Sequence, residues 1–413
     1  MPNRLFLALA AGGGGPDAIR ELRHAQYSKH LLLLRGVLER GGEQAAPAYL
    51  LLAKVQRNDP AVARAVIGHP SVGAWAQHVN RGAADPRQLG GVAAAAAIRA
   101  GLAADIEVPV CDGVVVLPTL GVAVLETSGT AAISVSPGTF TITCRDQEFN
   151  SCGDRWRRVR PIAPGSRELL VDDVDPFRMP ALGAAVAPRL TDQDARKWAA
   201  GLGAAWSLLD SEHREVAAEL EAAVTTIVPH RTPASGYSSS TSAETFGAVA
   251  LSAPLDAITT AASLAHELQH LKLFALLDMV TMLSPDDGSR YYAPWRPDPR
   301  PLGGLLQGAY AFLAVSEFWR RQRHWPDDDG AGHVEYVRWL AATSRVIATL
   351  AASGRLTAVG QEFVRGMARA AARKRDDTVP QQARHQAERE AAEHEARWVH
   401  DNGPISPAGR SRS

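Results

Sequence analysis

The stretch His266-Glu267-Leu268-Gln269-His270 constrains this chain more than any other part of its sequence. Two histidines four residues apart lie on one face of an α-helix, where their ring nitrogens can meet at one metal ion. The surrounding residues are mostly apolar, which predicts a buried helix. The same spacing arises by chance on solvated helices, but imidazoles and a carboxylate are costly to bury without a partner. The pattern therefore favours a metal site.

The sequence leaves the third metal ligand open. Zinc peptidases with this motif take a later glutamate or a third histidine in a longer pattern. No glutamate lies between Glu267 and Glu317, and no histidine lies between His270 and His324. The remaining side chains that can bind a hard ion are Asp278, Asp286, Asp287, Asp298, Gln307 and Glu317.

Gln307 is the preferred third ligand by position. Asp278 continues the motif helix, but eight residues beyond His270 is about 12 Å along the axis, too far for one metal. Gln307 lies in the first turns of the next helix, where an antiparallel partner can place its amide oxygen over the histidines. An incomplete ligand set leaves coordination positions open, which suits non-haem iron at least as well as hydrolysis.

The proline-rich segment 291–301 is the second informative place. Its four prolines forbid regular structure and stiffen the backbone around Arg296 and Arg300. A guanidinium fork is well suited to hold a carboxylate, so either arginine is a candidate for binding one. The alternative is an exposed connector whose arginines cap helix ends.

The periodicity predicts a predominantly helical α+β fold. We expect a helical N-terminal part over residues 1–105, a small antiparallel β-rich part over 106–185, a metal-binding domain over 186–375, and a charged helix with a disordered tail over 376–413. Within the third part we expect a helix from about 192 to 228, broken near Gly201 and Gly203, and the motif helix over 255–282. The short strand 246–252 precedes the motif helix and is expected beside it, with either an exposed edge that can hold an extended peptide or a place in the core.

Composition and charge argue against several classes of function. Basic and acidic residues number 44 each, so neither a nucleic-acid partner nor an electrostatically held membrane surface is favoured. The three cysteines, Cys111, Cys144 and Cys152, lack zinc-ribbon or disulfide-scaffold spacing and are expected to be reduced thiols without a catalytic role. No membrane-spanning run or convincing secretion signal occurs, which predicts a cytoplasmic protein.

Four segments together resemble the HExxH-motif peptide-modification proteins, which occur beside ribosomally made, post-translationally modified peptides. The segments are 26–35, 246–252, 266–278 and 292–302, so the likeness spans most of the chain up to about residue 325. The resemblance implies an iron(II)- and 2-oxoglutarate-dependent hydroxylase that modifies the β-carbon of a residue in a precursor peptide. It implies a zincin-like motif helix and, as partners, that peptide and other peptide-maturation enzymes.

On this resemblance, His266 and His270 bind iron, while Arg296 or Arg300 binds the distal carboxylate of 2-oxoglutarate. Glu267 then orients water or a neighbouring group instead of acting as a peptidase base. Two other functions stay open. A zinc peptidase would use Glu267 as the general base on a metal-bound water, and a peptide-binding protein would keep the metal as a structural element.

Overall fold

A computed structural model describes residues 1–145, 147–150, 153–164, 168–234, 236–253, 256–325 and 330–405. Cys152, Pro254, Leu255 and the tail from residue 406 lie outside the described residues. The fold is mixed α+β, with 57% of residues in helices and with small antiparallel sheets, as the sequence predicted at this level. No described helix is both long enough and apolar enough to cross a bilayer.

The chain divides into two compact units. The first combines Met1–Leu22, Ala204–Ala223 and Asp256–Ser413. The second combines Arg23–Gly203 and Val224–Leu255. Each unit is therefore built from segments that are distant in sequence.

Thirteen α-helices occur among the described residues. In chain order they are α1 (Asn3–Ala10), α2 (Gly15–Gly41), α3 (Ala46–Asn58), α4 (Pro60–Ile67), α5 (Pro70–Asn80), α6 (Leu89–Arg99), α7 (Asp192–Glu212), α8 (Arg214–Ala223), α9 (Ala257–Leu277), α10 (Leu302–Gln322), α11 (Ala331–Ala352), α12 (Ala358–Ala372) and α13 (Gln381–Asn402). The expected break near Gly201 and Gly203 is wrong, because α7 runs through both glycines. The chain breaks instead at His213, between α7 and α8.

The second unit holds every described strand. The strands are β1 (Ala104–Val110), β2 (Val114–Leu117), β3 (Gly121–Val124), β4 (Gly129–Ser136), β5 (Thr139–Cys144), β6 (Gln147–Asn150), β7 (Trp156–Arg158), β8 (Arg160–Ile162), β9 (Leu169–Val171), β10 (Thr226–Pro229), β11 (Ser239–Ser240) and β12 (Ala248–Leu251). Two sheets are antiparallel, in the orders β1-β4-β5-β6 and β2-β3-β7. The third has the order β11-β12-β10-β9-β8, and its strands β9, β10 and β12 run parallel.

Strand β12 is a core strand. It pairs with β10 on one side and with β11 on the other, and all four of its residues are buried. Continuous burial is typical of a strand inside a parallel array, where both faces are covered. Of the two expectations for this segment, the exposed edge is therefore wrong for β12.

In the first unit, α10 packs against both α9 and α11. Asp256 is the N-cap of helix α9, and its carboxylate accepts a hydrogen bond from the Thr259 amide at 2.7 Å. The buried residues of α9 include Leu264, Leu268 and Leu271, at helical spacing. The motif therefore lies in the middle of a capped and packed helix.

Candidate metal centre

His266 and His270 meet on α9. Their Nε2 atoms are 3.1 Å apart, and the two ring planes are inclined by 73°. With metal–nitrogen bonds of about 2.1 Å, this separation corresponds to a nitrogen–metal–nitrogen angle of roughly 95°. The two lone pairs therefore fit adjacent positions around one metal ion.

Gln307 of α10 fixes the His270 ring from its other side. Its Oε1 lies 3.0 Å from Nδ1 of His270. A carbonyl oxygen can only accept, so Nδ1 carries the proton and Nε2 of His270 presents a lone pair toward His266. The two Nε2 atoms then share one proton or one cation. This fixing of the tautomer through the distal nitrogen is typical of metal-binding histidines.

The structure thus brings Gln307 to the histidine pair, but at the nitrogen that faces away from His266. The sequence predicts Gln307 as the third metal ligand. To bind the metal, its side chain would have to rotate away from Nδ1 of His270. Its Nε2 atom is buried and has no hydrogen-bond partner among the described residues. A free donor is therefore available beside the pair.

An aromatic stack supports His266. The His266 ring makes a T-shaped contact with the ring of Phe312, with centroids 4.7 Å apart. Phe312 stacks on Trp339 at 4.1 Å and contacts Trp295 at 4.9 Å. Burial, followed by the neighbouring His270 ring, holds the pKa of His266 well below its ordinary value. The His266 imidazole is thereby kept in the neutral form that a metal requires.

Gly308 makes room for Trp295 on α10. A Cβ atom at this glycine would lie 2.4 Å from the indole ring, closer than any real contact. The proline-rich segment therefore reaches the centre through its tryptophan. Sequence reasoning gave no role to Trp295, Phe312 or Trp339. The available signal for close packing was Gly308, a glycine inside the helix that begins at Leu302.

The two candidate carboxylate-binding arginines both donate hydrogen bonds to one carboxylate, that of Asp298. Arg296 donates from Nε to Asp298 at 3.2 Å, and Arg300 donates from Nη1 to the same carboxylate at 3.0 Å. Their side chains are 52% and 38% exposed. Burial acts to raise the pKa of Asp298, but the Arg300 hydrogen bond and both positive charges hold it below its ordinary value.

The other candidates for a third ligand have partners elsewhere or lie at the surface. Asp286 pairs with Arg290, Asp287 with Arg355, and Glu317 with Arg320, Arg321 and Lys374. Asp278 is exposed at the C-cap of α9. Over the described ranges, no three His, Cys, Asp or Glu side chains form a metal-binding group. Glu267 is buried within α9, at 2% exposure.

No protein-family model matches this chain, and no curated protein is significantly similar to it.

Proposed function

We propose that this protein is an iron(II)- and 2-oxoglutarate-dependent hydroxylase that acts on the β-carbon of a residue in a ribosomally made precursor peptide. The observation that carries the proposal is the convergence of two imidazole Nε2 atoms at 3.1 Å on the helix whose motif resembles such proteins. In the overall reaction, the peptide C–H group, oxygen and 2-oxoglutarate give a C–OH group, succinate and carbon dioxide.

The donor set fits iron(II) with open positions. His266 and His270 would hold the ion, and iron supplies the oxygen chemistry when it is bound. Gln307 holds His270 in the required tautomer, while the T-shaped contact with the Phe312 ring limits the rotation of His266. Glu267 is buried on the same helix, which favours a supporting role over that of a base exposed to substrate.

Arg296 and Arg300 remain the candidates for the distal carboxylate of 2-oxoglutarate. Each now uses one donor group on Asp298, so 2-oxoglutarate would compete with that carboxylate. Exposed ion pairs contribute about 0.2 to 1 kcal/mol each, so exchange of one carboxylate for another is inexpensive. Asp298 then keeps the two arginines together until the co-substrate arrives.

A turnover assay tests the proposal. Anaerobically prepared protein is loaded with iron(II) and incubated with a candidate ribosomally made precursor peptide. We expect a mass gain of one oxygen that requires both oxygen and 2-oxoglutarate, one succinate per modified peptide, and an intact peptide backbone. Zinc-dependent cleavage of the peptide under nitrogen would contradict hydroxylation and favour a peptidase with Glu267 as base.

The arginine assignment has a separate test. Replacing the correct arginine by Ala should raise the 2-oxoglutarate concentration for half-maximal rate by about 10²-fold, the scale of a charged hydrogen-bond pair worth roughly 3 kcal/mol. Asp298→Ala should lower that concentration by about fivefold, because the competing carboxylate is gone. Arg290→Ala is the matched control, since Arg290 is also exposed and paired with a nearby aspartate. If Arg296→Ala and Arg300→Ala both behave like Arg290→Ala, the carboxylate binds elsewhere.

The proposal includes the setting of the reaction. A precursor peptide is the expected substrate, other peptide-maturation enzymes are the expected partners, and the cytoplasm, where ribosomal peptides are made, is the expected compartment.

A further inference from the structure

Two buried carboxyl groups lie in the turn that follows β9 in the second unit. Asp172 and Asp175 belong to this turn, residues 172–178, and are 0% and 3% exposed. The Asp172 amide donates to the carbonyl of Ile227 in β10 at 2.9 Å, which joins the turn to the parallel strands. Burying a carboxylate without a countercharge is very costly, so the surroundings of the two groups decide whether both can be ionised.

The hydrogen bonds to these two groups come from uncharged donors. Oδ1 of Asp172 accepts from the amides of Val174 at 3.1 Å and Asp175 at 2.9 Å. Asp175 accepts from the Phe177 amide at 2.7 Å and is hydrogen-bonded to the Ser71 hydroxyl. Within the described ranges, neither carboxyl group forms an ion pair. The Asp172 carboxyl lies against the Asp175 backbone, so each group is exposed to the charge of the other.

Arg178 supplies one positive charge for two carboxyl groups. Its guanidinium donates to the backbone carbonyls of Asp175 at 2.6 Å and Ala187 at 3.3 Å, and its charge acts on both acids. Two carboxylates beside one guanidinium would leave the buried cluster with one net negative charge. One proton on the pair brings the net charge to zero.

The neighbouring arginines are occupied by other carboxylates. Arg160 and Arg189 both bind Asp173, and Arg160 also reaches the exposed carboxylate of Asp192. These two cations therefore face two carboxylates of their own. They supply no second positive charge to the pair.

The nearby histidine behind Ser71 is neutral. Nδ1 of His69 lies 2.9 Å from the Ser71 hydroxyl. Burial, followed by the charges of His30 and Arg99, lowers the pKa of His69 to about 3. The ring can therefore orient Ser71, but it carries no positive charge at neutral pH.

The remaining polar surroundings add no charge either. A cavity of about 20 Å³ is lined by Ser71 and Asp175, and it has room for about one water molecule, which can donate a hydrogen bond but is uncharged. His78 contacts the Phe177 ring and lies 3.5 Å from the carboxylate of Glu244, which would balance it if it were protonated.

We propose that Asp172 and Asp175 share one proton at neutral pH and act as a pH-sensitive element of the second unit, which loses stability when that proton leaves. Two carboxyl groups that cannot both ionise in one buried site titrate as a pair. Burial, followed by the charge of Asp172, raises the pKa of Asp175 to about 7, and burial also raises the pKa of Asp172. The proton is therefore released near neutral pH.

Infrared spectroscopy of the whole protein tests the shared proton. A protonated carboxyl group has a C=O stretching band apart from the carboxylate and amide bands, and exposed carboxyl groups are almost fully ionised at pH 6 because their ordinary pKa values are about 4. Relative to Asp175→Asn, we expect the parent to show the band of one additional carboxylic acid at pH 6. This difference should disappear with a midpoint near pH 7.

Asp172→Asn should remove the same band, because Asp175 alone is balanced by Arg178 and ionises. Asp154→Asn is the matched control, since Asp154 is exposed in the same unit, and it should keep the band of the parent. The proposal is overturned if the parent shows no additional band, or if either Asp172→Asn or Asp175→Asn keeps it.

Ser71→Ala tests the location without removing a carboxyl group. The Ser71 hydroxyl stabilises the ionised form of Asp175, so its loss should raise the midpoint of the band by about one pH unit or more. A midpoint that does not move would show that the titrating group lies elsewhere, and it would overturn the assignment.

Native-state hydrogen exchange of the β10 and β12 amides tests the effect on stability. The folded pKa lies above the unfolded value of about 3.9, so the folded state holds the extra proton and its stability falls as the pH rises from about 4 to 7. The opening equilibrium constant of the parent, divided by that of Asp175→Asn, should therefore rise about tenfold per unit between pH 5 and pH 6.5.

A ratio that stays constant over this range would overturn the proposal, because the variant would then lack no titrating group. The same ratio for Asp154→Asn should be constant. None of these measurements uses iron, 2-oxoglutarate or peptide, so their outcome is independent of the proposed hydroxylase activity.

Discussion

Replacing Gly308 by Ala should disturb the candidate metal centre through Trp295. The new Cβ would lie 2.4 Å from the indole Cζ2 and 2.6 Å from Cε2 and Nε1, so the rigid ring must move. Overpacking of this kind typically costs about 1 to 3 kcal/mol. Alanine gains about 0.5 to 1 kcal/mol over glycine within a helix. The net loss in the free energy of unfolding is therefore roughly 0 to 2.5 kcal/mol relative to the parent, and about 1 to 3 kcal/mol relative to a glycine-to-alanine change on the same helix that meets no clash.

Gly303→Ala is the matched control for this substitution. Gly303 lies on the same helix, and a Cβ there would meet its nearest neighbour, Leu283, at 3.8 Å, an ordinary contact. This variant should be neutral or slightly more stable than the parent. Urea unfolding measures both free energies, and near-ultraviolet circular dichroism reports the environment of Trp295.

The outcome separates tight packing from chance proximity. We expect Gly308→Ala to lose stability and to change the aromatic dichroism, because Trp295 moves away from Phe312. If Gly308→Ala is as stable as Gly303→Ala and keeps the parent spectrum, Trp295 does not pack on α10 and the aromatic support for His266 is refuted.

Two further predictions concern stability. Glu219→Gln should lower the free energy of unfolding by about 3 to 5 kcal/mol, because Lys272 is left buried without its charged partner. The double variant Glu219→Gln, Lys272→Met should regain most of this stability, and a double variant that is no more stable than Glu219→Gln would refute the pairing. Hydrogen bonds from Arg320 and Tyr336, together with the charges of Arg320 and Arg323, lower the pKa of Asp377 to about 2. This carboxylate therefore stabilises the fold when the pH is above its unfolded pKa of about 3.9, and the stabilisation is lost as the pH falls toward 2. Asp377→Asn should therefore cost about 2 kcal/mol at pH 7, and urea titrations should find the difference shrinking below about pH 4; a difference that stays constant to pH 3 would contradict the sign.

Helical spacing was enough to predict the meeting of His266 and His270, because i and i+4 positions share a helix face. Placing Gln307 beside them needed only one more inference, that the next helix returns antiparallel and packs on the first. The detail of that contact was not predictable, since whether an amide oxygen meets Nδ1 or a metal depends on a rotation of one side chain.

The surroundings of the centre depend on contacts that sequence spacing does not encode. The sequence predicted that Arg296 or Arg300 binds the carboxylate of a ligand; the pairing of both arginines with Asp298, which lies between them in sequence, was not predicted. The stack of Trp295, Phe312 and Trp339 joins three segments, and no local pattern separates such aromatics from ordinary core. In the second unit, β9, β10 and β12 come from distant parts of the chain, so their parallel pairing is non-local as well.

Lys272 was a signal that sequence reasoning left unused. A lysine inside an otherwise apolar stretch is costly to bury, so it requires a carboxylate partner. The sequence offers many acidic residues, and nothing in the spacing selects Glu219, 53 positions earlier.

Anaerobic titration with iron(II) tests the central claim most directly. We expect the parent protein and His385→Ala, a control at an exposed histidine on α13, to bind one iron per chain with the same affinity. His266→Ala and His270→Ala should each weaken binding by about 100-fold or more, because each removes one of few protein ligands. Binding of one iron by either variant with the affinity of the parent would contradict a metal centre at this pair.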